Sequence, residues 1–339
     1  PIPSILSALI GVFLLLMNGT AQSQVRCWTH EHHLNRQALG QHSETEAQFE
    51  TWMDRQMRES AGVGSTENEY NIPVVFHIIY QNPSDAWNIS AAQVQSQLQI
   101  LNEDFKRLNA DTLNAPAAFR AVASGSNINF CLAQRDPQGN TSTGIVRWAF
   151  SQSASWSTSA IDATIKPATV WDPTRYFNIW VVNISGGILG YAQFPGGSNS
   201  TDGVVIDTDY FGTNGTATSP FDKGRTGTHE VGHWLNLPHT WGSTNEPGLA
   251  TNCNSDDGVF DTPNTIGSNW CNYNEVTCGP VANIENHMEY SSCRKMFTQG
   301  QKSRMRTALN STTGGRSNLI TPSNHFATGI DAPAPFCEV

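Results

Sequence analysis

The 339-residue sequence is poor in charge and lacks the signatures of several large enzyme classes. Only 14% of its residues are charged and its formal net charge is −10. This acidic balance disfavours nucleic acid or an anionic membrane surface as the partner. The sequence has no nucleophile-elbow serine, Walker loop or dinucleotide fingerprint, so it offers no sign of serine-hydrolase, P-loop or nicotinamide chemistry.

Long apolar runs are also scarce. The run from Ile5 to Met17 is too short for a comfortable transmembrane span, and small and polar residues follow it up to Ser23. This pattern is typical of a secretory signal peptide, here over residues 1–23 with its start upstream of Pro1; a membrane anchor is the less favoured alternative. We therefore expect a secreted, extracellular monomer without stable membrane association. Sequons permit N-glycosylation in a eukaryotic host at Asn88, Asn140, Asn183, Asn199, Asn214 and Asn310.

One stretch carries most of the chemistry: HEVGHWLNLPH, residues 229–239. On a helix, His229 and His233 project from the same face one turn apart, with Glu230 beside them. Asn236 tolerates the left-handed conformation that ends helices, and the following proline stops the helix, so that the chain bends His239 back to the same point. Three neutral imidazoles with an open fourth position are typical of a catalytic zinc site. A helix with two satisfied histidines and an accidental acid is the alternative.

This stretch is close to the metzincin signature, in which HExxH is followed by xxGxxH and a methionine turn. The surrounding sequence resembles the pappalysin-type branch, peptidase family M43, which includes cytophagalysin, ulilysin and secreted fungal metalloproteases. Asn236 stands where that family has glycine. The resemblance covers roughly residues 71–309 and rests on GILGYAQFPGG from Gly187, TDGVVID from Thr201, DGVFDTP from Asp257 and NHMEYSSCRKMFTQGQ from Asn286.

The resemblance implies an α/β (α+β) fold of the metzincin-like zincin type. Its parts would be a twisted mixed five-stranded sheet, two long helices and a disulfide-stapled irregular C-terminal subdomain. We expect a prosegment over residues 24–64 and a metalloprotease catalytic domain over 65–339, with an upper subdomain to about 235 and a lower one from about 236. The β-branched run at 72–80 predicts a buried strand, in which His77 is expected to be a satisfied core histidine.

The resemblance also implies a secreted zinc endopeptidase, made as a zymogen, that acts on proteins or peptides. The three histidines of the motif would hold one catalytic zinc ion, and Glu230 would assist attack of the zinc-bound water. Tyr290 would stabilise the oxyanion, and Met288 would form an apolar floor under the imidazoles. The alternatives are a catalytically inactive protease-like extracellular binding protein and a zinc hydrolase acting on other substrates.

The region before the catalytic domain contains one conspicuous cysteine. Cys27 resembles the prosegment cysteine that occupies the open zinc position of related proteases until cleavage, because a thiolate displaces the catalytic water. An ordinary disulfide partner is the alternative. The HEHH run from His30 is expected to be solvated and flexible rather than a metal site. Residues 44–59 predict an amphipathic helix, with activation cleavage between Arg55 and Thr66.

Substrate contacts follow from the resemblance as well. Residues 186–207 would include the edge strand that pairs with an extended substrate by strand addition, although an ordinary surface loop fits the composition equally well. Related Arg/Lys-directed enzymes carry an aspartate between the tyrosine and the next cysteine, where this chain has Ser291 and Ser292. That aspartate lies at the base of the pocket for the residue after the scissile bond, so we do not expect a strict preference for a basic residue at this position. The substrate-contacting residues would be Gly190, Tyr191 and Ala192.

Seven cysteines in a secreted chain imply disulfides and one unpaired thiol. The resemblance implies the pairs Cys253–Cys278 and Cys271–Cys293. Cys131 and Cys337 can then pair, which leaves Cys27 odd, although the cysteine count allows other connectivities.

A loop rich in oxygen ligands follows the histidine motif. The resemblance implies a structural calcium ion held by Asp256, Asp257 and Asp261, since calcium takes six to eight oxygen ligands from such turns. A solvated loop is the alternative.

Overall fold

The computed structural model describes residues 26–40, 46–60, 68–331 and 337. The expected signal peptide and residues 61–67, where activation cleavage is expected in part, lie outside these ranges. Within them, no helix is both long and apolar enough to span a membrane.

Helices and strands are interspersed up to the histidine motif, and helices close the described chain. The helices are α1 (Thr29–Ala38), α2 (Glu46–Ser60), α3 (Ala91–Lys106), α4 (Thr158–Ala160), α5 (Lys166–Thr169), α6 (Arg225–Trp234), α7 (Gln299–Leu309), α8 (Arg316–Leu319) and α9 (Pro322–Thr328), with a π-helical turn at Ile161–Ile165 joining α4 to α5. The strands are β1 (Tyr70–Tyr80), β2 (Ala123–Ser124), β3 (Ile128–Leu132), β4 (Ile145–Ala149), β5 (Phe177–Val182), β6 (Gly190–Ala192), β7 (Val204–Asp207) and β8 (Phe297–Thr298).

The main sheet has the order β3-β1-β5-β7-β6 and is mixed, as predicted. All its neighbours are parallel except β6, which runs antiparallel to β7. It is five strands wide but contains six strands, because β3 pairs with the first half of β1 and β4 with the second half. β6 is the last strand on the path, so one side of its backbone is not covered by the sheet.

Packing fixes α6, the helix of the histidine motif, against this sheet. Trp234 stacks on Phe177 of β5 with the ring centroids 3.8 Å apart. On its other side the Arg316 guanidinium lies 4.0 Å from the Trp234 ring centroid and forms an ion pair with Asp202. Because Trp234 directly follows His233, these contacts hold the second histidine of the motif in place.

The region after α6 is the irregular, disulfide-stapled part that the sequence predicts. Between α6 and β8, the described regular structure is one 3₁₀ helix, Ala250–Asn254. The pairs Cys253–Cys278 and Cys271–Cys293 crosslink this region, and Cys131–Cys337 ties the end of the chain to β3. The structure therefore contains all three expected disulfides and leaves Cys27 as a free, buried thiol.

The prediction that the HEHH run is solvated and flexible is wrong. The run lies in α1, and His32 and His33 are only 5% and 6% exposed. His32 Nε2 lies 2.6 Å from Asp162 Oδ2, and the His33 ring packs on Phe194 at 5.5 Å between centroids. These two histidines of a run that looks polar in sequence are thus buried against specific partners more than 100 residues along the chain.

His77 is a satisfied core histidine, as predicted. Its Nε2 donates to Asn178 Oδ1 at 2.9 Å, and its Nδ1 accepts from Trp148 Nε1 at 3.1 Å. Only the neutral ring can make both bonds. Burial lowers the pKa of His77 to about 4.

This histidine predicts a stability that falls with acid. Since the pKa is about 4 in the folded protein and about 6.5 in the unfolded chain, the unfolded chain binds the extra proton as the pH drops below 6.5. Between pH 7 and 5 the free energy of unfolding should lose about 2 kcal/mol through His77. The variant His77→Gln can make the same two hydrogen bonds without titrating. Urea unfolding at both pH values should show a smaller loss in the variant; equal losses would contradict the assignment.

Candidate metal centre and cleft

Local backbone geometry brings the three motif histidines together. Helix α6 begins after Gly224 and ends at Trp234. Asn236 then takes a φ of 71°, as the sequence predicts, and the Leu237 amide donates to Gly232 O at 2.9 Å. This left-handed turn reverses the chain, so that His239 returns to the face of α6 that carries the other two rings.

The Nε2 atoms of the three rings converge on one point. His233 Nε2 lies 3.1 Å from His229 Nε2 and 3.2 Å from His239 Nε2. Nitrogen ligands around a tetrahedral zinc ion are about 3.3 Å apart, given a zinc–nitrogen distance of about 2.0–2.1 Å. Cys27 Sγ completes the group, and the four ligand atoms lie within 4.8 Å of one another.

The other nitrogen of each ring fixes its tautomer. The Nδ1 atoms of His229, His233 and His239 face the carbonyl oxygens of His287, Leu237 and Thr244 at 2.8, 2.6 and 3.0 Å. Each Nδ1 therefore carries the hydrogen, and each Nε2 keeps its lone pair for a metal. Burial lowers the pKa of all three rings, that of His233 to about 3, so they are neutral near pH 7. This donor set fits a zinc ion.

Glu230 lies buried beside the histidines, under the edge strand. Its Oε2 accepts from Thr29 Oγ1 at 2.9 Å and from Cys27 Sγ at 3.4 Å. A Cβ atom at Gly190 would lie 3.0 Å from Glu230 Cγ, so glycine lets the strand approach this closely. Burial raises the pKa of Glu230 to about 8, partly offset by the hydrogen bonds from Thr29 and Cys27, whereas a dication beside it would favour the carboxylate.

Met288 packs against helix α6 at Gly232, and Tyr290 lies beside the histidine rings. Met288 is fully buried, and its Sδ lies 2.4 Å from where a Cβ at Gly232 would be, so a side chain there would collide with it. The Tyr290 ring centroid is 5.0 Å from that of His239. The Tyr290 hydroxyl donates to Asn245 Oδ1.

The N-terminal segment, residues 26–29, covers the side of β6 that faces away from β7. The Trp28 amide donates to Gly190 O at 3.0 Å, and the Ala192 amide donates to Thr29 Oγ1 at 2.8 Å. Residue numbers rise together along the two segments, so the covering chain runs parallel to β6. Tyr191 and its two neighbours in β6 are buried as a result.

Arg26 makes a contact that the sequence reasoning missed. Its guanidinium lies 5.3 Å from the Phe221 ring centroid and donates to Asn269 O, at 3.1 Å, and to Tyr290 O. Burial lowers the pKa of Arg26. The signal available in sequence was its position directly before Cys27, because a residue next to a proposed zinc ligand is held close to the site.

The three aspartates proposed for calcium do not form a cluster. Asp257 accepts from the Thr262 hydroxyl at 2.8 Å, and Asp261 accepts from Thr298 Oγ1 at 2.6 Å and from the Gly300 amide at 2.9 Å, at the start of α7. Asp256 Oδ1 accepts from a nearby backbone amide. Over the described ranges, the one group of three or more clustered His, Cys, Asp and Glu ligand atoms is the histidine–cysteine group. Calcium binding stays a prediction.

Comparison with known proteins agrees with this geometry. The family model described as pregnancy-associated plasma protein-A, a peptidase M43 model, matches residues 160–310. An extracellular metalloprotease of Pyricularia oryzae is 31% identical over 254 residues, which is 72% of this chain and 76% of the relative.

Two solved structures from Tannerella forsythia are similar as well. Mature mirolysin in complex with a cleaved peptide is 42% identical with a TM-score of 0.69, covering 77% of this chain and 98% of mirolysin. A promirolysin mutant is 38% identical with a TM-score of 0.74, covering 88% of this chain and 98% of that chain. The chain therefore belongs to peptidase family M43 and is a zinc metalloendopeptidase.

Proposed function

We propose that this protein is a secreted zinc endopeptidase, made as a zymogen, in which the residues around α6 perform peptide hydrolysis. The observation that carries the proposal is the convergence of three Nε2 atoms next to a buried glutamate and a sheet edge. His229, His233 and His239 would hold the zinc ion. When bound, zinc polarises the scissile carbonyl and acidifies a water molecule.

The chain's own residues supply the proton transfers. Glu230 takes the proton from the attacking water and passes it to the leaving amine, since its carboxylate lies beside the ligand nitrogens. In the latent protein Oε2 of Glu230 accepts from Thr29 Oγ1, so the base becomes available once Thr29 leaves. The Tyr290 hydroxyl, released from Asn245, donates to the oxyanion that develops on the carbonyl oxygen.

Substrate binding would use the side of β6 that the N-terminal segment covers. We propose that an extended peptide adds there as an antiparallel strand, as β7 does on the other side of β6. The N-terminal segment runs in the opposite sense, parallel to β6, and so presents its peptide bonds with reversed polarity. This reversed polarity explains how the N-terminal segment can lie across the site without being cleaved.

Latency would rest on residues 24–64 acting as the prosegment of a catalytic domain that starts near residue 65. Cys27 Sγ lies within 4.8 Å of the three histidine ligand atoms, and as a fourth ligand its thiolate would exclude water from the metal. The match to promirolysin covers 88% of this chain and the match to mature mirolysin covers 77%, which also supports a removable segment. Three disulfides and the extracellular relative from Pyricularia oryzae support secretion.

Helix α2 supplies a second attachment of this prosegment. Both oxygens of Glu50 accept from Arg304 Nη2 at 2.6 Å, and its Oε1 also accepts from Asn236 Nδ2 at 3.1 Å. Arg304 is almost fully buried, and its Nε donates to Asn236 O at 2.7 Å. Phe49 and Met53 pack beside this pair against α7. The ion pair thus joins the prosegment to the turn that follows α6.

We expect Glu50→Ala to speed activation of the precursor by roughly tenfold, because it removes charge-assisted hydrogen bonds and leaves Arg304 without its carboxylate. The rate of processing by added trypsin checks this. Glu59→Ala is the matched control, since Glu59 is exposed and contacts Gln56 of the same helix. Unchanged processing in Glu50→Ala would contradict the role of this attachment.

The direct test of the proposed function compares precursor and processed protein. The purified precursor should contain one zinc ion and cleave an unfolded protein substrate at a small fraction of the processed rate. A chelator should abolish the processed activity and added zinc should restore it. Activity that persists in the zinc-free protein, or that acts on simple esters but not on peptides, would contradict the proposal.

A further inference from the structure

A buried ion cluster lies beside β6, away from the zinc ligands. Asp162, in the π-helical turn between α4 and α5, faces four partners. Its Oδ1 lies 2.8 Å from Lys166 Nζ and accepts from the Tyr191 hydroxyl at 3.1 Å. Its Oδ2 lies 2.6 Å from His32 Nε2 and 3.4 Å from Arg36 Nη1. One oxygen is thus held by the catalytic domain and the other by α1.

The two oxygens differ in what removal of the prosegment would do to them. Lys166 is fully buried, with its Nζ 4.5 Å from the Tyr191 ring centroid, and belongs to the catalytic domain. His32 and Arg36 belong to α1 and would leave with it. The mature enzyme would therefore present a carboxylate oxygen, fixed in direction by Lys166 and Tyr191, that has lost both of its donors.

Asp162 lies beside the part of β6 along which we expect the substrate to bind. Gly190 is the end of β6 that lies against Glu230, and from there the strand runs through Tyr191 toward Phe194, where α1 lies. A substrate strand antiparallel to β6 has its residues N-terminal to the scissile bond on this side. Side chains of an extended strand alternate between two faces, so alternate substrate residues point to the face that carries Tyr191 and Asp162.

We propose that Asp162 is a specificity-determining residue of the mature enzyme, and that its Oδ2 binds a basic side chain of the substrate N-terminal to the scissile bond. This inference rests on the proposed function, because it requires the prosegment to leave. In the precursor an arginine and a histidine N–H already occupy the position, which shows that it accommodates a guanidinium and a planar N–H donor. An arginine of the substrate would take the place of Arg36.

The test uses the processed enzyme and a fluorogenic peptide series. A single arginine is placed in turn at each of the first four positions N-terminal to the scissile bond, and each peptide is paired with its citrulline analogue, which has nearly the same shape without the charge. At one position the arginine peptide should be cleaved with roughly fivefold higher kcat/KM, through a lower KM, as expected for a partly exposed ion pair. Asp162→Asn should remove the difference between the arginine and citrulline peptides at that position.

Two further variants keep the test decisive. If Asp162→Asn folds poorly because Lys166 is left unpaired, the double variant Asp162→Asn, Lys166→Met removes both buried charges together. Asp172→Asn, at an exposed aspartate after α5, controls for the loss of one negative charge. Equal cleavage of arginine and citrulline peptides at all four positions, or a preference that survives in the variants, would overturn the inference. Cleavage of neither peptide would instead count against the proposed function.

Discussion

Replacing Glu230 by Gln should abolish peptide hydrolysis while leaving zinc bound. The three Nε2 atoms and their Nδ1 partners do not involve Glu230, so metal affinity should not change. The amide cannot accept the proton of the attacking water, and general-base catalysis contributes on the order of 10²–10⁴-fold. We therefore expect kcat to fall by roughly 10³-fold with little change in KM, measured on the processed enzyme by peptide cleavage and zinc analysis.

A matched variant separates this effect from a loss of structure. Glu246→Gln removes the same charge from an exposed position in the loop after His239, and it should keep full activity. A Glu230→Gln enzyme with wild-type turnover would refute the proposed role of the carboxylate. Loss of zinc from that variant would show that the glutamate supports the metal rather than the proton transfer.

Replacing Cys27 by Ala should make the precursor active before it is processed. Cys27 Sγ lies among the three histidine ligand atoms, so its removal would open the proposed fourth ligand position to water. We expect precursor activity to rise by roughly tenfold or more, since each 1.4 kcal/mol of lost restraint raises the open fraction tenfold. Thr29, α1 and α2 keep their contacts, so the precursor should remain slower than the processed enzyme.

The processed enzyme provides the internal control for this variant. Residue 27 is absent from it if the prosegment spans residues 24–64, so enzymes obtained from the wild-type and Cys27→Ala precursors should have the same kcat/KM. A Cys27→Ala precursor as latent as the wild type would show that the other contacts alone maintain latency, and would contradict the thiol's role as a zinc ligand.

The sequence predicts the fold and the histidine group well because the determinants of both are local. The HExxH spacing places two rings on one helical face, and Asn236 and Pro238 predict the turn that returns His239. The β-branched run at 72–80 predicts β1 because this strand is buried on both faces. The sequence predicts five strands and the sheet contains six. The extra strand is missed because no local pattern shows that β3 and β4 share one side of β1.

Contacts between distant segments explain what the sequence reasoning missed. The HEHH run looks polar, but His32 is buried because Asp162, 130 residues away, accepts its hydrogen bond. Arg26 and Glu50 likewise find their partners far along the chain, at Phe221 and Tyr290 for Arg26 and at Arg304 for Glu50. The calcium site stays a prediction: the loop is rich in carboxylates, and Asp261 hydrogen-bonds to residues at the start of α7.

The most direct test of the central claim is cleavage of a denatured-proteome digest by the purified, processed protein, with cut sites read by mass spectrometry. The account predicts many internal cuts that a zinc chelator abolishes, that added zinc restores and that Glu230→Gln does not make. The same data would show whether basic residues are preferred after the scissile bond despite Ser291 and Ser292. No cutting by zinc-loaded, prosegment-free protein would contradict the account and favour a protease-like binding protein.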